Sequence, residues 1–134
     1  MKTDSSSPNQ ITDYLLTRAD YNLSQQSLNL KQSQVQDEMD FLGGIGRSFK
    51  IMSEYQVEDP FAPESPLVVN IGCLTGTAYM TGLRTYFTAY SPLKRTIQGA
   101  PMASWSAMSG SFGRKYRSTG LDDLVLTGSA ARPS

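Results

Sequence analysis

Residues that could do chemistry are few in this sequence, and their types exclude most kinds of active site. The chain has no His and a single cysteine, Cys73. Without His there can be no His-based triad, general base or metal site. One Cys can form neither an internal disulfide nor a four-cysteine cluster. Cys73 follows an apolar run, where a Cys is typically a small buried side chain, and no His could activate its thiol. We therefore do not expect this chain to catalyse a reaction alone.

Two loops rich in small residues are better candidates for ligand binding. They are LTGTAYMTGLR at 74–84 and SAMSGSFG at 106–113. Such loops leave backbone N–H groups free beside a strand or at the start of a helix, where anions bind. Arg84 ends the first loop and could hold a phosphate with two hydrogen bonds. Neither loop completes a Walker or Rossmann motif, so ordinary turn geometry is the alternative interpretation.

The other charged residues indicate solvated surfaces. Asp122 and Asp123 follow a helix-ending glycine, which is typical of an exposed turn. Arg114, Lys115 and Arg117 lie on one predicted helix and indicate a solvated face. Twelve basic and twelve acidic residues give a formal net charge of zero. This balance excludes a generic polyanion-binding protein, and we expect no nucleic acid partner, because no excess of positive charge is available for phosphates.

The size and composition of the chain predict one domain with a thin core. The chain has 134 residues, of which 39% are hydrophobic and 18% charged, both below the usual globular values. We therefore expect the domain to depend on contacts with a partner chain for its stability. The polar start, MKTDSSSPNQ, is unlike a signal peptide, and no apolar run approaches the roughly 18 residues of a membrane span. A cytoplasmic protein is expected, with a polar tail at 1–12, a domain at 13–129 and a second tail at 130–134.

The elements that must position the two loops can be read from hydrophobic spacing. Residues 11 to about 31 fit either a weak helix or two strands, 14–23 and 27–32, and we favour a hairpin because its residues suit a pleated surface. Apolar residues at helical spacing between 35 and 52 predict a helix that ends near Leu42 and a second one at 47–55, separated by a corner at Gly43, Gly44 and Gly46.

The second half of the chain predicts mostly strands. LVVNIG (67–72), RTYFTAY (84–90) and LVLT (124–127) read as strands, and MSGSFG leads into a helix that runs to about residue 119 and ends at Gly120. The stretch 94–105 is ambiguous, and Ile97 is assigned to a further strand. The predicted class is α+β, with two or three short helices and no regular βαβ repeat.

Several segments, taken together and in order, resemble one protein family. They are LGGIGRSFKIM (42–52), DPFAPESPLVVNIGCLTGT (59–77), TGLR (81–84), SPL (91–93) and SGSFGRKYRSTGLDDLVLTGSAARP (109–133). The order is similar to that in the N-terminal domain of the tungsten-containing aldehyde ferredoxin oxidoreductases. That family includes the tungsten subunit of class II benzoyl-coenzyme A reductase. The resemblance covers about 14–133, which corresponds to the first half of a domain built from two related sheets.

The resemblance implies a cofactor and four site residues. In the family this domain supports two molybdopterin dithiolenes that chelate one tungsten, and their phosphates share a magnesium ion. Arg84 matches an arginine that contacts the pterin close to a 4Fe–4S cluster. Alignment of MSGSFG with the family's Asn-Ser-Gly-Gly segment places Ala107, Ser109 and Gly110 at the Asn, first Gly and second Gly positions. A different gap, within a stretch about six residues longer than in the family, would place Ser104 opposite the Asn.

Two functions remain open. The chain could be a small subunit or fragment of a tungstopterin oxidoreductase that supplies part of the pterin cradle. A larger partner chain would then carry the cluster cysteines, the second half of the cradle and the proton-transfer residues. Alternatively, it could be a non-catalytic binding or assembly module without cofactor, which the replacements at Ala107 and Ser109 favour. A homo-oligomer is a further possibility. No substrate-pocket residue falls within the chain, so the sequence does not indicate the substrate.

Overall fold

The first strands form the predicted hairpin. A computed structural model describes residues 14–132, and the tail predicted at 1–12 lies outside the described residues. Strands β1 (Leu15–Asn22) and β2 (Ser27–Gln34) pair antiparallel, which confirms the hairpin over the helix. In β1, buried Leu16 and Ala19 face opposite sides of the sheet, while β2 lies at its edge and is largely exposed. Leu16 and Ala19 are three positions apart, a separation that is also found on one face of a helix, and this explains the ambiguity of the sequence.

The glycine corner separates two helices of different kinds. The first, Val35–Phe41, is a 3-10 helix with a kink at Glu38, where a regular α-helix was expected. The second, α1, spans Gly44–Met52 and begins and ends three residues earlier than predicted, so Gly46 lies inside it. A side chain at Gly43 would come within 2.7 Å of the carbonyl oxygen of Ile71. The corner therefore needs a glycine to pack against the end of the next strand.

Six strands form one mixed sheet. After α1 come β3 (Leu67–Ile71), β4 (Thr85–Arg95), β5 (Pro101–Met108), α2 (Ser111–Arg117) and β6 (Asp123–Thr127). The strand order is β2-β1-β6-β3-β4-β5, in which only the pair β1 and β6 is parallel. This arrangement confirms the α+β class with short helices.

The two faces of the sheet carry separate apolar clusters. Under α1, Ile51 and Met52 pack on Val68 and Val125. On the opposite face, Tyr116 of α2 packs with Val69 and Ile71. Since α2 has seven residues, it covers only one end of its face. Burial of each large apolar side chain contributes about 2 kcal/mol, so most of the apolar stabilisation lies in these two small clusters.

The β4–β5 hairpin differs most from the sequence prediction. Strand β4 runs five residues beyond the predicted end at Tyr90, and β5 was not predicted at all. Ile97 was assigned to a strand, which is wrong: it lies in the turn of the hairpin and is fully exposed. Strand β5, PMASWSAM, is an edge strand built from small and exposed residues. It lacks the apolar alternation by which half-buried strands are recognised.

Candidate functional site

Three of the four candidate residues meet at one end of the β4–β5 hairpin. Thr85, the first residue of β4, pairs with Met108, the last residue of β5, so Arg84 directly precedes this pair and Ser109 directly follows it. Gly110 follows directly and is the N-cap residue of α2, with φ of 101° and no side-chain cap. Arg84 is exposed, and its guanidinium makes no ion pair with any residue of the described part. The structure therefore brings together a free cation and the start of α2.

The fourth candidate, Ala107, lies within β5 and is exposed. It pairs with Tyr86 and lies on the same face as Trp105, whose ring makes an edge contact with Tyr86 at a centroid distance of 6.2 Å. The alternative position, Ser104, pairs with Ala89 and lies on the opposite face. Ala107 is one strand position from the Arg84 end of the hairpin, whereas Ser104 is four positions away. Ala107 is therefore the nearer of the two alternative positions to the other candidates.

A close contact fixes the distance between α2 and β4. Gly113 lies in α2, and a side chain there would come within 2.7 Å of Thr75 Cγ2 and 2.9 Å of the carbonyl oxygen of Leu83. Thr75 in turn donates its hydroxyl to the carbonyl of Arg84 at 2.8 Å. The 74–84 loop, the start of β4 and α2 are thus packed together, which holds Arg84 and Gly110 at one place.

Arg117 has a structural role that the sequence did not indicate. Its guanidinium donates to the carbonyl oxygens of Gly72 and Cys73 at 3.1 Å each, to that of Thr75, and to the hydroxyl of Tyr14 at 2.9 Å. The prediction of a solvated basic face is therefore wrong for Arg117, although Arg114 and Lys115 are exposed. Four acceptors from two segments, 72–75 and Tyr14, satisfy this cation and tie the base of the 74–84 loop to α2.

The two adjacent aspartates are buried, so the prediction of a solvated turn is wrong. Asp122 accepts hydrogen bonds from the hydroxyl of Tyr14 at 3.0 Å and the backbone N–H of Thr17 at 2.9 Å. Desolvation and the adjacent Asp122 carboxylate raise the pKa of Tyr14. Asp123 is 0% exposed and accepts from Arg47 Nε at 2.6 Å. Desolvation raises the pKa of Asp123, and the Arg47 charge opposes this rise.

Arg47 links Asp123 to a wider network of charges beside α1. Its second donor reaches Glu38 at 3.1 Å, and Lys50 also binds Glu38. Burial would raise the pKa of Glu38, but the hydrogen bond from Lys50 and the charge of Arg47 hold it below its ordinary value. Each buried charge has a partner of opposite sign, as burial requires. The network stabilises the packing of α1 on the sheet.

No part of the described chain offers a metal site of its own. Within residues 14–132 no group of three or more Cys, Asp or Glu side chains could hold an ion. Cys73 is exposed, which corrects the prediction of a buried side chain. The two described α-helices have nine and seven residues, and no described helix is long and apolar enough to cross a membrane.

Charge is distributed unevenly although the net charge is zero. Between residues 65 and 121 there is no Asp or Glu, whereas that stretch holds six of the basic residues: Arg84, Lys94, Arg95, Arg114, Lys115 and Arg117. This stretch forms α2 and the strands β3, β4 and β5, which are adjacent and make up one half of the strand order. The candidate residues therefore lie in a region where the only formal side-chain charges are positive.

Comparison with known proteins assigns the family. The model for "Aldehyde ferredoxin oxidoreductase, N-terminal domain" matches residues 19–134. The chain belongs to this family. The tungsten-containing aldehyde ferredoxin oxidoreductase of Pyrococcus abyssi is 32% identical over 90 residues, which is 67% of this chain and 14% of that protein. The corresponding protein of Pyrococcus furiosus is 35% identical over 75 residues, 56% of this chain and 11% of its own. The resemblance inferred from the sequence is confirmed.

A solved structure shows the same fold. The active-site complex BamBC of benzoyl coenzyme A reductase, with bound 1,5 dienoyl-CoA, contains a chain that superposes with a TM-score of 0.76 at 24% identity. The match covers 87% of this chain and 17% of that chain. The aldehyde ferredoxin oxidoreductase domain described here is therefore a small part of the length of its relatives.

Proposed function

We propose that this chain supplies part of a pterin cofactor cradle in a tungstopterin oxidoreductase, while a larger partner chain carries the iron–sulfur cluster. The observation that carries the proposal is the meeting of Arg84, Ser109 and Gly110 at one end of the β4–β5 hairpin. The name of the Pyrococcus relatives, tungsten-containing aldehyde ferredoxin oxidoreductase, supports tungsten as the metal. We also propose a cytoplasmic location.

The residues at this end of the hairpin fit an anionic cofactor. Arg84 offers a guanidinium without an acidic partner among the described residues, which is suited to bidentate binding of a phosphate or an acceptor-rich ring. Gly110 has a positive φ, and nothing lies within 4 Å of the position of an added side chain, so a ligand can approach the backbone closely. Ser109 could offer its N–H in the same way. When bound, the tungstopterin with its bridging magnesium would supply the redox chemistry, and this chain would orient it.

A sheet face that α2 covers only in part supports a larger partner. Two rows of side chains cross the six strands on the face opposite α1, as the strand registers show. One row is Leu28, Tyr21, Leu126, Leu67, Ala89 and Ser104, and the other is Leu30, Ala19, Leu124, Val69, Phe87 and Ser106. Leu28, Leu30 and Leu67 are exposed. Apolar rows of this extent are covered by another chain or domain in most proteins, and stable contacts of this kind bury about 2,000 Å² or more.

The cradle role predicts that Arg84 controls cofactor content. We expect Arg84→Ala in the natively purified complex to lower tungsten and pterin per complex at least about tenfold, which corresponds to about 1.4 kcal/mol of binding. Metal analysis by mass spectrometry and pterin fluorescence would measure this. Lys31→Ala is the matched control, because Lys31 lies on β2 at the opposite edge of the sheet and binds Asp20. Unchanged tungsten in Arg84→Ala would rule out the role given to Arg84.

A non-catalytic binding or assembly module is the second candidate. It is favoured by Ala107, whose methyl group has no atom that could bind a phosphate or magnesium, and by Ser109 in place of a glycine. This function predicts a native complex that contains no tungsten and whose assembly does not depend on Arg84. The same metal analysis therefore decides between the two functions.

A further inference from the structure

The outer edge of β5 has none of the usual protection against pairing with another strand. Strand β5 ends the sheet order, and its sequence, PMASWSAM, has no charged residue and no Pro after its first position. Natural edge strands commonly carry Lys, an internal Pro or a bulge that prevents pairing. The large exposed side chains on β5 are apolar as well, namely Met102, Trp105 and Met108. An edge of this kind is a template for an added strand.

The backbone groups that face outward can be identified from the ladder. Ile71 donates its N–H to the carbonyl of Asp122, the residue directly before β6, at 3.3 Å. Residues along an antiparallel strand bond alternately to the neighbours on either side. The pairing of β3 with β4 and of β4 with β5 extends this alternation across the sheet. The backbone N–H and C=O groups of Ala89 therefore point toward Ser104 of β5. It leaves the N–H and C=O groups of Ala103, Trp105 and Ala107 directed away from the sheet.

The turn of the hairpin adds exposed apolar side chains and positive charge to the same edge. The register between β4 and β5 shifts by three residues between Tyr90 and Arg95. Leu93 in this bulge is 91% exposed, and Ile97 in the turn is fully exposed. Lys94 is exposed and makes no ion pair with any described residue. A strand lying along β5 would therefore end beside a cation and two apolar side chains.

We propose that the β5 edge binds an extended segment of another protein chain whose residues near the hairpin turn are acidic. Charge decides between this occupant and a second copy of the chain. Antiparallel pairing of β5 with β5 of a second copy would place the Lys94 end of one copy beside the Arg84 end of the other. Residues 65–121 contain no acidic side chain that could offset this repulsion. The inference does not depend on the cofactor role, because it concerns backbone pairing and the hairpin turn.

A peptide titration with the full chain tests this proposal. Trp105 is the only Trp in the sequence and lies half-exposed on β5, so its emission reports on an added strand directly. The probes are two fluorescein-labelled nine-residue peptides of alternating Val and Thr, one with two Glu at each end and one with two Lys. We expect saturable binding of the Glu peptide with a Kd below about 1 mM, a blue shift of Trp105 and weaker binding in salt. The Lys peptide should bind at least tenfold more weakly.

Two variants separate backbone pairing from charge. Ala103→Pro removes an outward N–H and should abolish binding of the Glu peptide, whereas Ala103→Val retains the N–H and should bind it. Edge strands tolerate Pro at such positions, and matching thermal melts of the two variants would show that both are folded. Lys94→Glu should reverse the preference between the peptides. Equal binding of both peptides, no binding of either, or unchanged binding by Ala103→Pro would overturn the proposal. A dimer that Ala103→Pro dissociates would also overturn it and assign the edge to a second copy.

Discussion

Arg47→Met is expected to lower the free energy of unfolding by about 3–5 kcal/mol, because it leaves a buried carboxylate without its partner. Asp123 is 0% exposed, and its hydrogen bond from Arg47 is 2.6 Å long. Its second oxygen makes no hydrogen bond with any described group. Urea unfolding followed by circular dichroism would measure the change. Lys50→Met is the control: Lys50 also binds Glu38 of this network but is partly exposed, so its loss should cost about 1 kcal/mol or less.

The pH dependence of this variant has a definite sign. Desolvation raises the pKa of Asp123 in the folded protein, and without Arg47 the rise would be larger. A carboxyl group whose pKa is raised by folding stabilises the fold below its unfolded pKa, and this contribution is lost as the pH rises through the folded pKa. The free energy of unfolding of Arg47→Met is lower than that of the wild type, and this deficit should therefore shrink as the pH falls from 7 toward 4. A deficit that stayed constant or grew over this range would contradict the assignment of an unpaired buried charge.

The elements that were predicted correctly are those in which buried and exposed side chains alternate along a strand or recur at helical spacing. Strand β3 and the core of β4 read as strands because their apolar residues must meet α1 and α2. Strand β5 could not be found in this way, since an edge strand of Ala, Ser and Met buries little and shows no period. The burial of Asp123 was also missed. Its partner, Arg47, is 76 residues away in sequence, and nothing near Asp123 in sequence distinguishes a buried carboxylate from one in a turn.

The geometry of the candidate site could not be predicted from the sequence. The family resemblance selected Arg84 and Ser109, which are 25 positions apart in the sequence. Their juxtaposition depends on the register of the β4–β5 hairpin, and a bulge of three residues near its turn sets that register. Spacing along the sequence cannot indicate such a bulge. Arg117 was missed for a similar reason, because the carbonyl groups that it binds belong to a loop more than 40 residues earlier.

Gly113→Ala is expected to destabilise the protein by about 1–3 kcal/mol through overpacking between α2 and the start of β4. The added methyl group would lie 2.7 Å from Thr75 Cγ2, 2.9 Å from the carbonyl oxygen of Leu83 and 3.0 Å from Thr85 Oγ1. The carbonyl belongs to the backbone and cannot rotate away, so α2 must move outward.

The matched control is Gly46→Ala in α1, where the nearest atom, Phe41 Cδ1, is 3.9 Å away. Because Ala is a better helix former than Gly, the free energy of unfolding of this control should rise by up to about 1 kcal/mol. Thermal and urea unfolding of the two variants would measure both effects. If α2 moves outward, Gly110 moves with it, away from Arg84, so Gly113→Ala should also lower the tungsten content of the native complex. A variant that is destabilised and yet retains full tungsten would show that the position of α2 does not govern cofactor binding.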